Sequence, residues 1–135
     1  MTQFRTYIGT KIIQAKPELG DPNNPRTAGV DGYRVVYGDS YSSWSPKEAF
    51  EQAYRLTDRM TFGDALVMLE AGRKVTNPEA EGRYLQFAQT RKGDPLNRHV
   101  AQALYWFSHE HPERPLYPFL ATGLLLQSKD WQVVE

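Results

Sequence analysis

The sequence predicts an α+β protein: an antiparallel sheet with packed short helices, preceded by a small strand-strand-helix module. Short runs of β-branched and aromatic residues are separated by turn residues, which is typical of antiparallel strands. Two segments begin with the capping residues that start helices. The chain also closes on the strand-like Gln132–Val134, directly after Trp131. Because loose chain ends are usually polar, we expect this end to be tied into the fold.

Composition limits the classes of protein that the chain can represent. Its 135 residues are 40% hydrophobic and 13% aromatic, which is too apolar for a disordered chain and sufficient for a buried core. Sixteen basic and sixteen acidic residues give a formal net charge of +0. Non-specific affinity for nucleic acid comes from accumulated positive charge, so we expect no nucleic-acid polymer as partner.

Cysteine is absent, which excludes disulfides, thiolate metal sites and thiol nucleophiles. The first residues contain no long apolar run of the kind that marks a signal peptide. The longest apolar run, Leu124–Leu126, is far shorter than a membrane span. These features lead us to expect a cytoplasmic protein without membrane contact.

The N-terminal module is predicted to contain three strands. Tyr7–Ala15 is rich in β-branched residues and predicts the first strand. A loop rich in Pro and Gly follows over residues 16–31. Gly32–Tyr37 and Tyr41–Trp44 predict two further strands, and the short turn at 38–40 predicts that they form a hairpin.

Two helices are predicted from their first residues. Ser45 is expected to cap a helix over Pro46–Arg55, with Glu48 completing a capping box. Thr61 and Asp64 repeat the device in a second helix. That helix is expected to stop at Gly72, because glycine readily ends helices.

The remaining segments predict a sheet. Lys74–Thr76 can start a strand, and Glu81–Gln89 alternates in the manner of a strand. The segment Arg98–Phe107 fits either a helix or a buried strand. We favour a strand that forms a hairpin with Leu116–Phe119.

The segment Met60–Glu135 carries motifs at both of its ends. It opens with Met-Thr-Phe-Gly-Asp-Ala-Leu at 60–66, and Gly-Arg-Lys-Val follows at 72–75. It closes with Pro-Phe at 118–119 and Asp-Trp-Gln-Val-Val at 130–134. In these motifs and their separation the segment resembles the second Thoeris anti-defence family, small phage proteins that sequester nucleotide second messengers.

The resemblance implies two domains and a function. Residues 60–135 would form a Thoeris anti-defence 2-like domain, and residues 1–58 look like an accessory module often fused ahead of it in phage proteins. The protein would bind a cyclic ADP-ribose isomer or a cyclic oligonucleotide in the host cytosol without cleaving it, and so would not be an enzyme. Family members assemble as homo-oligomers with sites at subunit contacts, so a homo-oligomer is expected as well.

The resemblance also implies a ligand site near the end of the chain. Its expected members are Phe119, Thr122, Asp130, Trp131, Tyr84 and Arg83. Trp131 could stack on a base, or it could close the core, and both interpretations stay open. An arginine could hold a phosphate, although dispersed surface charge is the more ordinary role.

One departure from the family affects this site. Family members usually have Gly-Trp-Asn-Gly after the first strand, and its Trp is thought to help sandwich the base. This chain has residues 76–82 there, with no Trp and with Glu79 and Glu81 added. An acid beside a phosphate weakens binding by like-charge repulsion. Either Tyr84 or Tyr105 would then replace the missing aromatic, or the ligand has changed.

The sequence is also compatible with other classes of function. A protein-interaction module that inhibits a host defence protein directly is the alternative, with the loop at 16–31 as its contact. An enzyme that degrades the signal ranks last, because no nucleophile elbow or Gly-rich phosphate loop is present. His109 and His111 would share one face of a strand, but no third metal ligand is indicated. We therefore predict no catalytic residue, no metal and no cofactor.

Overall fold

The computed structural model describes residues 3–135 and divides the chain into two compact units. The first unit ends at Arg55, and the second spans Leu56–Glu135. Antiparallel sheets of three and five strands and three short α-helices confirm the predicted α+β class. Within 3–135, no helix has the length and apolar character that crossing a membrane requires.

The N-terminal unit is a three-stranded antiparallel sheet followed by a helix. Its strands are β1 (Gln14–Pro17), β2 (Gly32–Val36) and β3 (Ser42–Pro46), in the order β1-β2-β3. Helix α1 spans Lys47–Ala53. The predicted hairpin between β2 and β3 is confirmed by their antiparallel pairing.

The first strand was predicted too early in the chain. Pairing in β1 begins at Gln14, opposite Val36, whereas the sequence places a strand over Tyr7–Ala15. The chain leaves β2 after Val36 and turns, so β2 offers no partner to the residues before Gln14. Residues 3–13 are consequently outside any strand and expose four large apolar side chains, those of Phe4, Tyr7, Ile8 and Ile12.

The predicted cap of the first helix is also wrong. Ser45 lies in β3 opposite Tyr33, so its backbone belongs to the sheet. Pro46 occupies the cap position of α1 and supplies no side-chain hydrogen bond. The helix instead packs through its aromatic face, with the Phe50 ring stacked on Tyr33 at a centroid distance of 4.1 Å.

The C-terminal unit has a five-stranded antiparallel sheet in the order β7-β6-β5-β4-β8. Its strands are β4 (Lys74–Thr76), β5 (Arg83–Gln89), β6 (Gln102–Ser108), β7 (Tyr117–Pro118) and β8 (Gln132–Val134). The preference for a strand hairpin over a helix in the ambiguous segment is thus confirmed. The strand at the end of the chain is confirmed as well, because β8 pairs with β4.

Helix α2 (Phe62–Glu70) begins with the predicted capping box. The Asp64 amide donates to Thr61 Oγ1 at 3.2 Å, and the Thr61 amide donates to Asp64 Oδ2 at 3.3 Å. Gly72 follows the helix with φ +87, a left-handed conformation that glycine adopts without a steric penalty. Local sequence therefore sets both ends of this helix.

Both faces of the five-stranded sheet carry buried side chains. Leu85 and Tyr84 are neighbours in β5 and point to opposite faces, as the alternation predicts. The face of Leu85 holds the main core, which comprises Met60, Ala65, Met68, Leu69, Val75, Ala80, Leu85, Trp106 and Trp131. The face of Tyr84 holds a smaller aromatic cluster, completed by Tyr105 and Phe107.

One hydrogen bond ties the loop after β5 to this aromatic cluster. The Tyr105 hydroxyl donates to Asp94 Oδ2 at 2.8 Å, and the Leu96 amide donates to Asp94 Oδ1 at 2.9 Å. The backbone bond from Leu96 and then the bond from Tyr105 lower the pKa of Asp94 below its usual 3.8. The folded protein therefore favours the charged carboxylate.

We predict that the stabilisation due to Asp94 is lost in acid. It is present above pH 3.8 and disappears as the pH falls through the lower pKa of the folded state. The melting temperature of Asp94→Asn should lie below that of the unmodified protein at neutral pH, and the gap should narrow below pH 3.8. Asp31→Asn, which replaces an exposed aspartate, is the control, and its melting temperature should match that of the unmodified protein at each pH. A gap that stays constant in acid contradicts this role.

Candidate ligand-binding cleft

The C-terminal unit contains an open cleft of about 280 Å³. One wall is the 3-10 helix Pro78–Ala80 with the residue before it, and the other is helix α3 (Gly123–Gln127) with the turn after it. The lining residues come from these two segments: Asn77, Pro78, Glu79, Gly123, Leu124, Gln127, Ser128 and Asp130. Two stretches more than 40 positions apart in sequence thus form one concave surface.

A buried asparagine joins the two walls. Asn77 is 2% exposed, and its Nδ2 donates to Ser128 Oγ at 2.9 Å. Its Oδ1 accepts from the Glu79 amide at 3.1 Å. Ser128 Oγ accepts a second bond from the Asp130 amide at 3.1 Å. Because the buried Asn77 side chain is hydrogen-bonded to both segments, the two walls of the cleft are joined.

Two of the predicted site residues hold the helical wall in place. Thr122 caps α3, since its Oγ1 accepts from the Leu125 amide at 3.3 Å. Trp131 Nε1 donates to the Leu125 carbonyl at 3.0 Å. Trp131 is 0% exposed, so no face of its indole is free to stack on a base. Of the two interpretations of Trp131, the structure places it in the core.

Phe119 also belongs to the core rather than to the cleft. Its ring lies 5.7 Å from Phe62 and 5.7 Å from Trp106, between centroids. Phe62 in turn meets the edge of Trp131 at 5.4 Å. These four rings are thus in continuous contact. Asp130 alone among the predicted site residues lines the cleft.

Arg83 and Tyr84 are engaged elsewhere. The Arg83 guanidinium lies over the Trp106 ring at 4.8 Å and donates to the Tyr117 hydroxyl. Tyr84 is 2% exposed and stacks on Phe107, on the sheet face opposite the core that holds Trp131. Tyr105 lies in the same buried cluster, so neither tyrosine offers a ring to the cleft in place of the Trp that the resemblance implies.

The lining has a definite chemical character. Its ionisable groups are the carboxylates of Glu79 and Asp130, and its neutral polar groups include the Gln127 amide. Pro78 and Leu124 add apolar surface. Such a cleft offers acceptors to hydroxyl and amine groups and an apolar wall to a ring.

Sequence reasoning missed several of these residues. The sequence gives no sign of the roles of Asn77, Glu79, Gln127 and Ser128 in a common cleft. The Asn-Pro pair was the available signal, because Asn caps the 3-10 helix that Pro78 begins. Nothing local indicates that the same Asn bonds to a serine 51 positions away.

The histidines do not assemble a metal site. His109 lies against the Tyr84 ring at 5.0 Å, and His111 Nδ1 is 3.4 Å from Glu113 Oε1. Over residues 3–135, no group of three or more metal-ligating side chains is found.

Neither a scan against protein-family models nor a search of curated proteins gives a match to this chain. The cleft and the motifs therefore carry the functional interpretation.

We predict that Asn77 and Ser128 are energetically coupled. Asn77→Ala should reduce the free energy of unfolding by about 1–3 kcal/mol, because it leaves buried polar groups without partners. Ser128→Ala should cost less, and the double variant should show a coupling energy of about 1 kcal/mol in urea unfolding. Ser42→Ala, at an exposed hydroxyl of β3, is the matched control and should add to Asn77→Ala without coupling. Additive effects for Asn77 and Ser128 would show that the bond contributes nothing.

Proposed function

We propose that the C-terminal unit binds a nucleotide-derived immune second messenger in the cleft and sequesters it without cleaving it. The ligand classes are cyclic ADP-ribose isomers and cyclic oligonucleotides. The observation that carries the proposal is the place of the cleft. It lies between residues 77–79 and 123–130. It includes Asp130, one of the site residues implied by the resemblance to the Thoeris anti-defence family, and part of the segment 76–82, where members of that family carry a ligand-contacting Trp.

The chemistry of the lining supports this ligand class. Ribose hydroxyls and base amines are donors, and the carboxylates of Glu79 and Asp130 accept from such groups. Leu124 offers apolar surface to a sugar or base face. Ser128 Oγ already accepts from Asn77 and from the Asp130 amide, which makes it a poor nucleophile. These features favour binding over bond cleavage.

Exposed apolar surface beside the cleft supports a homo-oligomer. Leu120, Leu124 and Leu126 are 79%, 65% and 48% exposed. Apolar patches of this kind usually mark interaction sites. In the proposal a second copy covers them and closes the cleft at a subunit contact, and the protein acts in the cytosol of the host cell.

Sequestration can be tested with purified protein and candidate messengers. The protein is mixed with cyclic ADP-ribose isomers and cyclic dinucleotides, the free ligand is quantified, and the bound ligand is released by heat and identified by chromatography. We expect one class to be depleted and to return intact. Gln127→Ala should weaken binding by about 2–10-fold through the loss of one hydrogen bond.

Gln89→Ala, at an exposed strand position outside the cleft, is the matched control and should bind as the unmodified protein does. Recovery of altered ligand would indicate catalysis and contradict sequestration. No depletion of any nucleotide would contradict the proposal as a whole.

A second candidate function is direct binding to a host defence protein, and the exposed segment at 3–13 favours it. Phe4 and Ile8 are essentially fully exposed, and Tyr7 is 85% exposed. Phe4, Ile8 and Ile12 lie an even number of positions apart, so in an extended segment that pairs with a partner strand their side chains would share one face. The loop at 16–31 is a weaker candidate, because Trp44 Nε1 donates to the Glu18 carbonyl within it.

This candidate predicts that the segment matters in cells independently of nucleotide binding. Ile8→Asp should abolish protection of a phage against the host defence while leaving nucleotide sequestration unchanged. Gln3→Asp adds the same charge to the same exposed segment at a position of the opposite strand face, and it should have little effect. Full protection by Ile8→Asp would contradict the second candidate.

A further inference from the structure

The charge of the cleft specifies which part of a nucleotide it can hold. Glu79 and Asp130 are its ionisable lining groups, and both are exposed, so each remains available to a ligand. A phosphate group placed among them would meet two like charges, which disfavours its binding. We infer that the cleft takes the hydroxyl- and amine-bearing nucleoside part of the ligand and leaves the phosphates outside. This inference rests on the proposed function.

Hydrogen-bond geometry favours the same assignment. An ionised carboxylate is an acceptor with two oxygens and can receive both hydroxyls of a ribose diol. An acidic side chain that accepts from ribose hydroxyls is a recurrent solution in nucleotide-binding proteins. Glu79 and Asp130 stand on opposite walls of the cleft, so a nucleoside between them can engage one carboxylate through its sugar and the other through its base amine.

The apolar part of the lining completes a nucleoside-sized site. Pro78 contributes surface from one wall and Leu124, which is 65% exposed, contributes from the other. A planar base gains from contact with such surface when it leaves water. The Gln127 amide carries both donors and an acceptor and can therefore pair with a base edge. A phosphate would gain nothing from the apolar surface.

A cation stands next to the cleft in the sequence but outside its lining. Lys129 lies between the lining residues Ser128 and Asp130, is itself exposed, and is not part of the concave surface. A nucleoside seated in the cleft would direct its phosphates outward, toward the rim. Lys129 would therefore contact the phosphates, and Glu79 and Asp130 would accept hydrogen bonds from the nucleoside.

Calorimetric titration at low salt with adenosine and with adenosine 5′-monophosphate tests this division. The unmodified protein should bind adenosine and the monophosphate with affinities within about 10-fold of each other. Glu79→Gln and Asp130→Asn should each weaken adenosine about 5–10-fold, because a charge-assisted hydrogen bond becomes a neutral one. Each should also shift the preference toward the monophosphate. Lys129→Gln should weaken the monophosphate and not adenosine.

Glu81→Gln removes the same charge two residues from Glu79 and outside the lining, so it should change neither affinity. A monophosphate that binds 10-fold more tightly than adenosine, with a ratio unchanged in Glu79→Gln, would overturn the inference. Failure of adenosine to bind while a cyclic messenger does bind would overturn it equally. In both cases the proposed function survives, whereas failure of every nucleotide and every cyclic messenger to bind overturns both.

Discussion

The burial of Trp131 is the constraint on which the rest of the C-terminal unit depends. Its backbone forms a two-bond bridge with Met60, through Met60 N to the Trp131 carbonyl at 2.8 Å and the reverse bond at 3.1 Å. Its indole donates to the Leu125 carbonyl and fixes α3. Burial of so large an aromatic removes much apolar surface from water, and its single polar group is satisfied. The beginning and end of the unit, the helical wall and the sheet edge therefore meet at one residue.

The cleft follows from this anchoring. Trp131 lies directly after Asp130 and three residues after Ser128, so fixing the indole brings the turn beside Asn77, which bonds to Ser128. The residues that shape the cleft and those that can touch a ligand are then different groups. Trp131 anchors the helical wall from the core and Thr122 caps its helix. Glu79, Gln127 and Asp130 line the cleft and supply its polar side chains. The side chains of Glu79, Gln127 and Asp130 are exposed, so the chemistry of the lining can change without loss of the buried contacts that hold the fold.

Prediction from the sequence succeeds where the determinants are local. The capping box at Thr61 and the glycine stop at Gly72 lie within a few residues of the helix that they delimit, and both are found. It fails where the structure of a segment depends on residues that are distant in the sequence. The residues before Gln14 were predicted to form a strand, but they have no partner because β2 ends at Val36. The sequence of residues 7–13 does not indicate where β2 ends. An aromatic residue suits both base stacking and a core, so only its surroundings distinguish the two roles.

In the function proposed above, Trp131 supports the cleft from the core, and the residues that line the cleft bind the ligand. A ¹H–¹⁵N NMR titration with cyclic ADP-ribose isomers and cyclic dinucleotides reports on the lining residues and on the Trp131 indole in one spectrum. We expect shifts confined to the backbone amides of Asn77, Glu79 and residues 123–130 and to the Gln127 side-chain amide. The Trp131 indole N–H should stay protected from solvent exchange throughout. Large ring-current shifts at the Trp131 indole with loss of its protection, or shifts centred outside the cleft, would contradict the account.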